Sequence, residues 1–286
     1  MDGFYDSPPC AASLRRAVMA LRKEYRGLKV FSAGRSAGGR NILALALGEV
    51  RGAPLYVGGV HGDEWLTTLL LMRFMEALLE GLRRGTPLAG MELAPLLGEG
   101  RLVMVPCLNP DGLELCAKGP GAAGQLSGYV RGLWQEGEPW RANLRGVDLD
   151  RNFDAGWRAG REPGPWGSSG CKPFSEPESR CAANLCAGLG VRSLYVFGRG
   201  REEILYRSGG ESPPRSALMA QVLSSACGCR PAAARPVQGG FADWFIRHTG
   251  RPAFVLSAGG RAPDTVEELA PALGRLAEAM VLGMLL

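Results

Sequence analysis

A histidine followed three residues later by a glutamate, His61 and Glu64, stands just after the apolar run Pro54 to Val57. A single turn of chain at a strand end can bring an imidazole and a carboxylate to one metal ion. An isolated pair of this kind is more often a loop histidine beside an acid that opens a helix. Here the pair has company. Gly39-Arg40 precedes it, and the stretch around it reads Gly58-Gly59-Val60-His61-Gly62-Asp63-Glu64. After it come Asn109-Pro110-Asp111-Gly112, Arg145-Gly146-Val147-Asp148-Leu149-Asp150-Arg151-Asn152-Phe153, Ser175-Glu176-Pro177-Glu178 and Gly239-Gly240-Phe241-Ala242-Asp243-Trp244.

This ordered series resembles the zinc carboxypeptidases of the carboxypeptidase A type, particularly the bacterial branch that cleaves γ-D-glutamyl-diaminopimelate bonds in cell-wall peptides. The resemblance runs from about Gly34 to Gly260. It implies a zinc ion held by the two H-x-x-E residues and a distant histidine, with a late glutamate acting on the metal-bound water. Three protein ligands leave an open position, zinc lowers the water's pKa, and a carboxylate accepts its proton. By resemblance, His61 and Glu64 are the first two ligands. Arg141 matches the arginine that polarises the scissile carbonyl, and Arg151 matches the arginine of an Asn-Arg pair that holds the substrate carboxylate.

The remaining chemical positions depart from the family. The third-ligand position, before a Glu-Glu-Ile segment, is Gly198 in Phe197-Gly198-Arg199-Gly200-Arg201-Glu202-Glu203-Ile204. Glycine offers no donor. The general-base position is Ser257, which cannot serve as that base, so no catalytic set is intact. The clamp asparagine is Asp150, whose charge should repel a substrate carboxylate. The one other histidine, His248, precedes Ser257 by nine residues. As extended strand that is roughly 25–30 Å at about 3.3 Å per residue, which puts it at the wrong end of the sheet. Asp150, Glu202 or Glu203 could complete a metal site instead, although softer ligands hold zinc better. Zinc is therefore expected to be weakly held or absent.

Three readings stand. One is an impaired or inactive homologue that binds a peptide or murein-peptide fragment, with Arg141, Arg151, Arg199 and Arg201 as a cationic pocket for an acidic ligand. Within it, Arg199 and Arg201 could equally serve to neutralise an abandoned metal site beside Glu64, Asp150 and Glu202. The second is an active metallocarboxypeptidase or γ-D-glutamyl-diaminopimelate peptidase with a rearranged zinc site. The third, a hydrolase with Ser257 as nucleophile, needs a nearby base and ranks last. Arg40, Pro110, Gly112 and Glu176 read as structural.

The elements that must position these residues alternate along the chain. Helical spacing covers about Ala11 to Tyr25, Glu64 to Leu82, up to Leu189 after Ser175, and Ala217 to Ser225. Short apolar runs at Leu28 to Phe31, Ile42 to Leu47, Pro54 to Val57, Leu102 to Val105, Leu194 to Phe197 and Ala253 to Leu256 read as strands, the first two as a hairpin. Capping boxes are expected at Ser175/Glu178 and Thr265/Glu268. From Pro106 to about Gly170 the pattern is irregular, as functional loops often are. The sum is an α/β fold, a mixed and mostly parallel sheet between helices, in a single domain over residues 1–286.

Composition narrows the functional classes. The chain has 286 residues, 46% hydrophobic and 21% charged, enough for a large core. The net charge of +5 is spread singly or in pairs with no aromatic-interleaved basic block, which argues against nucleic acid. An acidic, proline-containing start and no long apolar stretch argue against a signal peptide and a membrane span. Eight cysteines without two CxxC pairs read mainly as buried reduced thiols in a cytoplasmic protein, with Cys227/Cys229 and Cys181/Cys186 as the pairs that could react. The ligand class expected is a peptide, and the oligomeric state is open.

Overall fold

Apolar residues alternate between two faces along the central strands, and this period of two sets the architecture. In the computed structural model, which describes residues 3–93, 101–135, 137–207, 212–259 and 264–286, Tyr56, Tyr195, Phe197 and Phe254 face one core. Leu55, Val57, Leu194, Val196 and Ala253 face the other. Buried on both sides, such strands need a helix layer on each face.

The strands are β1 (Lys29–Arg35), β2 (Asn41–Leu47), β3 (Leu55–Val57), β4 (Leu102–Val105), β5 (Leu194–Arg199), β6 (Glu203–Arg207), β7 (Arg230–Ala234) and β8 (Ala253–Gly259). They form one sheet in the order β1-β2-β4-β3-β5-β8-β6-β7. Pairing is parallel through the centre (β4-β3-β5-β8) and for β6-β7, and antiparallel for β1-β2, β2-β4 and β8-β6. The expected mixed sheet and early hairpin are both present.

On one face lie α1 (Ala11–Glu24), α2 (Trp65–Arg84), α6 (Ser216–Cys227) and α8 (Leu269–Gly283), and on the other α5 (Pro177–Leu189) and α7 (Phe241–Thr249). α2 carries apolar side chains almost all round and ends where Gly85 turns left-handed at φ +65°, a conformation glycine adopts without strain. The region read as irregular after Pro106 holds two further helices, α3 (Pro110–Lys118) and α4 (Ser127–Leu133). The Asn109-Pro110 signature opens α3: the Asn109 side chain accepts from the Gly112 amide at 2.8 Å and Pro110 takes the first turn.

Several boundaries differ from the sequence expectation. Glu176, not Ser175, is the residue at the N-terminus of α5, and no capping box forms: the Ser175 hydroxyl donates to Glu176, and Pro177 fills the first helical position. Thr265 precedes a short 3-10 turn, Val266–Glu268, without a side-chain cap. β6, β7 and α7 lie where no element was read. Their apolar runs are short, and β7, Arg230–Ala234, is mostly alanine, whose strand preference is low. Among the described residues no helix is long and apolar enough to cross a membrane.

Candidate functional site

The C-terminal ends of β3, β5 and β8 converge, and the loops leaving them carry the chemistry, as expected where parallel strands end. His61 and Glu64 leave β3 on a tight loop that α2 continues. Gly62 has no room for a side chain: a Cβ there would meet the Trp140 carbonyl at 2.6 Å and the Gly112 backbone at 2.7 Å. The same residue's amide donates to the Arg141 carbonyl at 3.0 Å. The His61 loop and the Arg141 loop are therefore locked together.

His61 is 6% and Glu64 3% exposed. The imidazole Nε2 lies 2.9 Å from Asp148 Oδ1, so Nε2–H donates to that carboxylate and turns Nδ1 toward Glu64 Oε2, 3.1 Å away. Glu64 Oε1 accepts from Arg141 at 2.8 Å, and the Arg151 Nε lies 3.5 Å from Asp148 Oδ2. Burial and Arg141 push the His61 imidazolium down, but Glu64 and Asp148 outweigh them and hold its pKa up at about 10. Burial alone would raise Glu64; His61 and Arg141 prevail and lower it to about 2. The buried group is a charge-paired cluster of His61, Glu64, Asp148 and Arg141.

Gly198 and Ser257 are register partners on β5 and β8. A Cβ built on Gly198 would lie 3.4 Å from Glu64 Oε2, its nearest neighbour, so a side chain at 198 would start out toward the His61/Glu64 pair. For a metal ion the candidate donors are His61 Nδ1, which ion-pairs with Glu64 at 3.1 Å and would first have to lose its proton, and Glu64 Oε2. Among the described residues no three His, Cys, Asp or Glu side chains converge into a metal-holding group. A catalytic zinc takes three protein ligands; this donor set does not fit one.

Asp150 and Arg151 diverge. The Asp150 carboxylate turns to the start of α7, where Oδ1 accepts from the Phe241 amide at 2.8 Å, and burial, followed by the Asp148 charge, raises its pKa to about 6. Arg151 instead lines a cavity of about 410 Å³ with Arg141, Asp148, Arg158, Arg161 and Gln238. Arg199 joins neither. Its guanidinium pairs with Asp63 at 3.0 Å and Asp264 at 3.2 Å, and Asp264 also accepts from the Leu66 amide at the start of α2. It thus neutralises acids other than Glu64, Asp150 and Glu202, and Arg201 is exposed. His248 sits in α7, stacked on Trp244 at 5.1 Å, before β8 begins. The extended-strand distance to Ser257 overstates the span, because His248 and Thr249 are helical and β8 begins only at Ala253.

A larger cavity of about 930 Å³ shares Arg141 and Trp166 with the cavity of about 410 Å³ and is lined also by Trp65, Trp134 and Trp140. Sequence reading missed Asp148, Arg158, Arg161 and these tryptophans as site residues. The signal for Asp148 was present, since a metal-type histidine needs an outer partner for its second nitrogen. Arg40 pairs with Asp111 at 2.7 Å, and the Glu176 carboxylate accepts from Asn143 at 2.8 Å, both as framework contacts.

Comparison with known proteins places this geometry. A family model described as zinc carboxypeptidase matches residues 15–197. The γ-D-glutamyl-L-diamino acid endopeptidase 1 of Lysinibacillus sphaericus is 31% identical over 223 residues, covering 74% of this chain and 56% of that protein. The chain thus spans little more than half the length of this relative. Bovine thrombin-activatable fibrinolysis inhibitor, solved with a tick carboxypeptidase inhibitor, superposes with a TM-score of 0.78 at 15% identity over 99% of this chain and 98% of that one. A murein-tripeptide amidase from Escherichia coli O157 gives 0.59 at 22% identity, over 89% and 91%. At these identities the two structures speak for the fold alone.

Proposed function

The chain belongs to the zinc carboxypeptidase family, and from that premise we propose that it is a catalytically impaired member, a single domain that binds a peptide or cell-wall peptide fragment rather than cutting it efficiently. One observation carries the reading: Gly198, whose Cβ direction faces Glu64 Oε2, provides no third donor where the site has two. Ser257 beside it leaves no carboxylate for general-base work, since a serine hydroxyl does not accept a proton near neutral pH. Arg141 and Arg151 remain in the cavity lining, and guanidinium forks suit a carboxylate ligand. The relative from Lysinibacillus sphaericus supports a γ-D-glutamyl peptide as ligand class. A cytoplasmic setting belongs to the same proposal, supported by eight cysteines of which Cys107, Cys186, Cys227 and Cys229 are buried.

An active enzyme with a rearranged zinc site is the second reading. The observation in its favour is His61 Nδ1 held 3.1 Å from Glu64 Oε2, two groups already aligned that a metal ion could share by displacing the imidazolium proton. Elemental analysis of the purified protein, with and without added zinc, separates the two. Substoichiometric zinc that is indifferent to His61→Ala is expected; one zinc per chain, lost in that variant, would favour the rearranged enzyme.

A further inference from the structure

We propose that the cavity beside Arg141 reads a second acidic group on the ligand, beyond its terminal carboxylate, and that Arg158 and Arg161 hold it. The inference deepens the binding proposal above and rests on it.

The charge balance of the cavity carries the argument. Four arginines are among its lining residues, Arg141, Arg151, Arg158 and Arg161, against one acidic residue, Asp148. Asp148 is already engaged by His61 at 2.9 Å, and Arg141 is engaged by Glu64 at 2.8 Å. Arg151 reaches Asp148 only at 3.5 Å. Arg158 and Arg161 are solvent-exposed at the cavity edge of their loop and form no ion pair among the described residues, so both are free to meet a ligand. Asp150, which would have lowered the positive charge, is turned away to the Phe241 amide. A lone terminal carboxylate is satisfied by one or two guanidinium forks. Two more arginines in the same cavity leave a positive field that a single anion does not balance.

The loop carrying them is fixed in place. The Arg158 carbonyl accepts from the Ser169 hydroxyl at 2.8 Å, and the Trp157 indole donates to the Ser169 carbonyl at 2.9 Å. A Cβ at Gly160 would meet that hydroxyl at 2.5 Å, so a side chain there would have to displace it. A volume of about 410 Å³ accommodates a residue-sized group. An anchored backbone also lowers the ordering cost of binding.

The test is calorimetric titration of the full chain with N-acetyl-alanyl-glutamate and N-acetyl-alanyl-glutamine, each with the last residue in both chiralities. The probes have the same shape and differ by one negative charge. The glutamate probe should bind about tenfold tighter or more, as a charge-assisted contact allows. R158Q/R161Q should bring it down to the glutamine probe's affinity and leave the glutamine probe unchanged. Equal binding of both probes to the unsubstituted protein would overturn the second acidic subsite and leave the binding proposal standing. No binding of either probe at millimolar concentration would sink that proposal, and this one with it. Inorganic phosphate displacing the glutamate probe at lower concentration, with the same dependence on Arg158 and Arg161, would overturn the assignment to a carboxylate.

Discussion

Gly198 and Ser257 are register partners across the β5-β8 pair, and the proposed impairment is assigned to both. G198H with S257E should raise zinc affinity by more than about a hundredfold, because a third ligand completes the coordination set. Zinc titration checks it, and a hydrolytic gain should need both changes. The two metal-type residues were legible in sequence because His61 and Glu64 are three apart, so chain connectivity alone brings them together. Asp264 was not, because it reaches Arg199 only through the fold, across 65 residues, and for Asp148, 87 residues from His61, the sequence signalled the need for a partner but not which acid supplies it. A separate residue-scale effect concerns Glu178, whose pKa burial raises from 4.5 to about 7. A raised carboxyl pKa means the fold favours the protonated form. Its contribution is complete below about pH 4.5 and is lost as pH rises through about 7. The difference in urea midpoint between wild type and Glu178→Gln should therefore move in favour of the variant between those values, measured as paired denaturation curves across that range.

At the scale of elements, the start of α7 and the turn at Arg151 are wedged together. Gly239 has φ +74°, and a Cβ on it would lie 2.1 Å from the Arg151 carbonyl. Gly239→Ala should cost on the order of 3 kcal/mol, read as a lower urea midpoint with an unchanged slope, and should weaken peptide binding by displacing Arg151. The helix α7 itself escaped sequence reading although its residues are apolar, because nine residues give too few turns for a helical period to stand out. What identifies it is tertiary: Phe241 stacks on Phe153 at 4.5 Å, and Asp243 forms a buried ion pair with Arg207. The capping boxes failed for a comparable reason. Ser175 and Glu178 have the right spacing, but Glu178 is drawn to the Ala37 amide at 2.9 Å, a partner outside its own helix.

Across the whole molecule, the central strands were legible as apolar runs, but their order in the sheet was not, since strand order depends on long-range pairing that no local pattern encodes. The sheet brings β3, β5 and β8 side by side, which sets residues 61, 198 and 257 at one rim. The scaffold is that of the zinc carboxypeptidase family, and the proposed impairment rests on glycine and serine at positions 198 and 257 of that rim. The most direct measurement is mass-spectrometric detection of products after prolonged incubation of the purified protein, with added zinc, with a γ-D-glutamyl-diaminopimelate tripeptide and a set of C-terminal peptides. The account predicts intact substrates at the level of a His61→Ala control. Zinc-dependent cleavage that disappears in His61→Ala would contradict it.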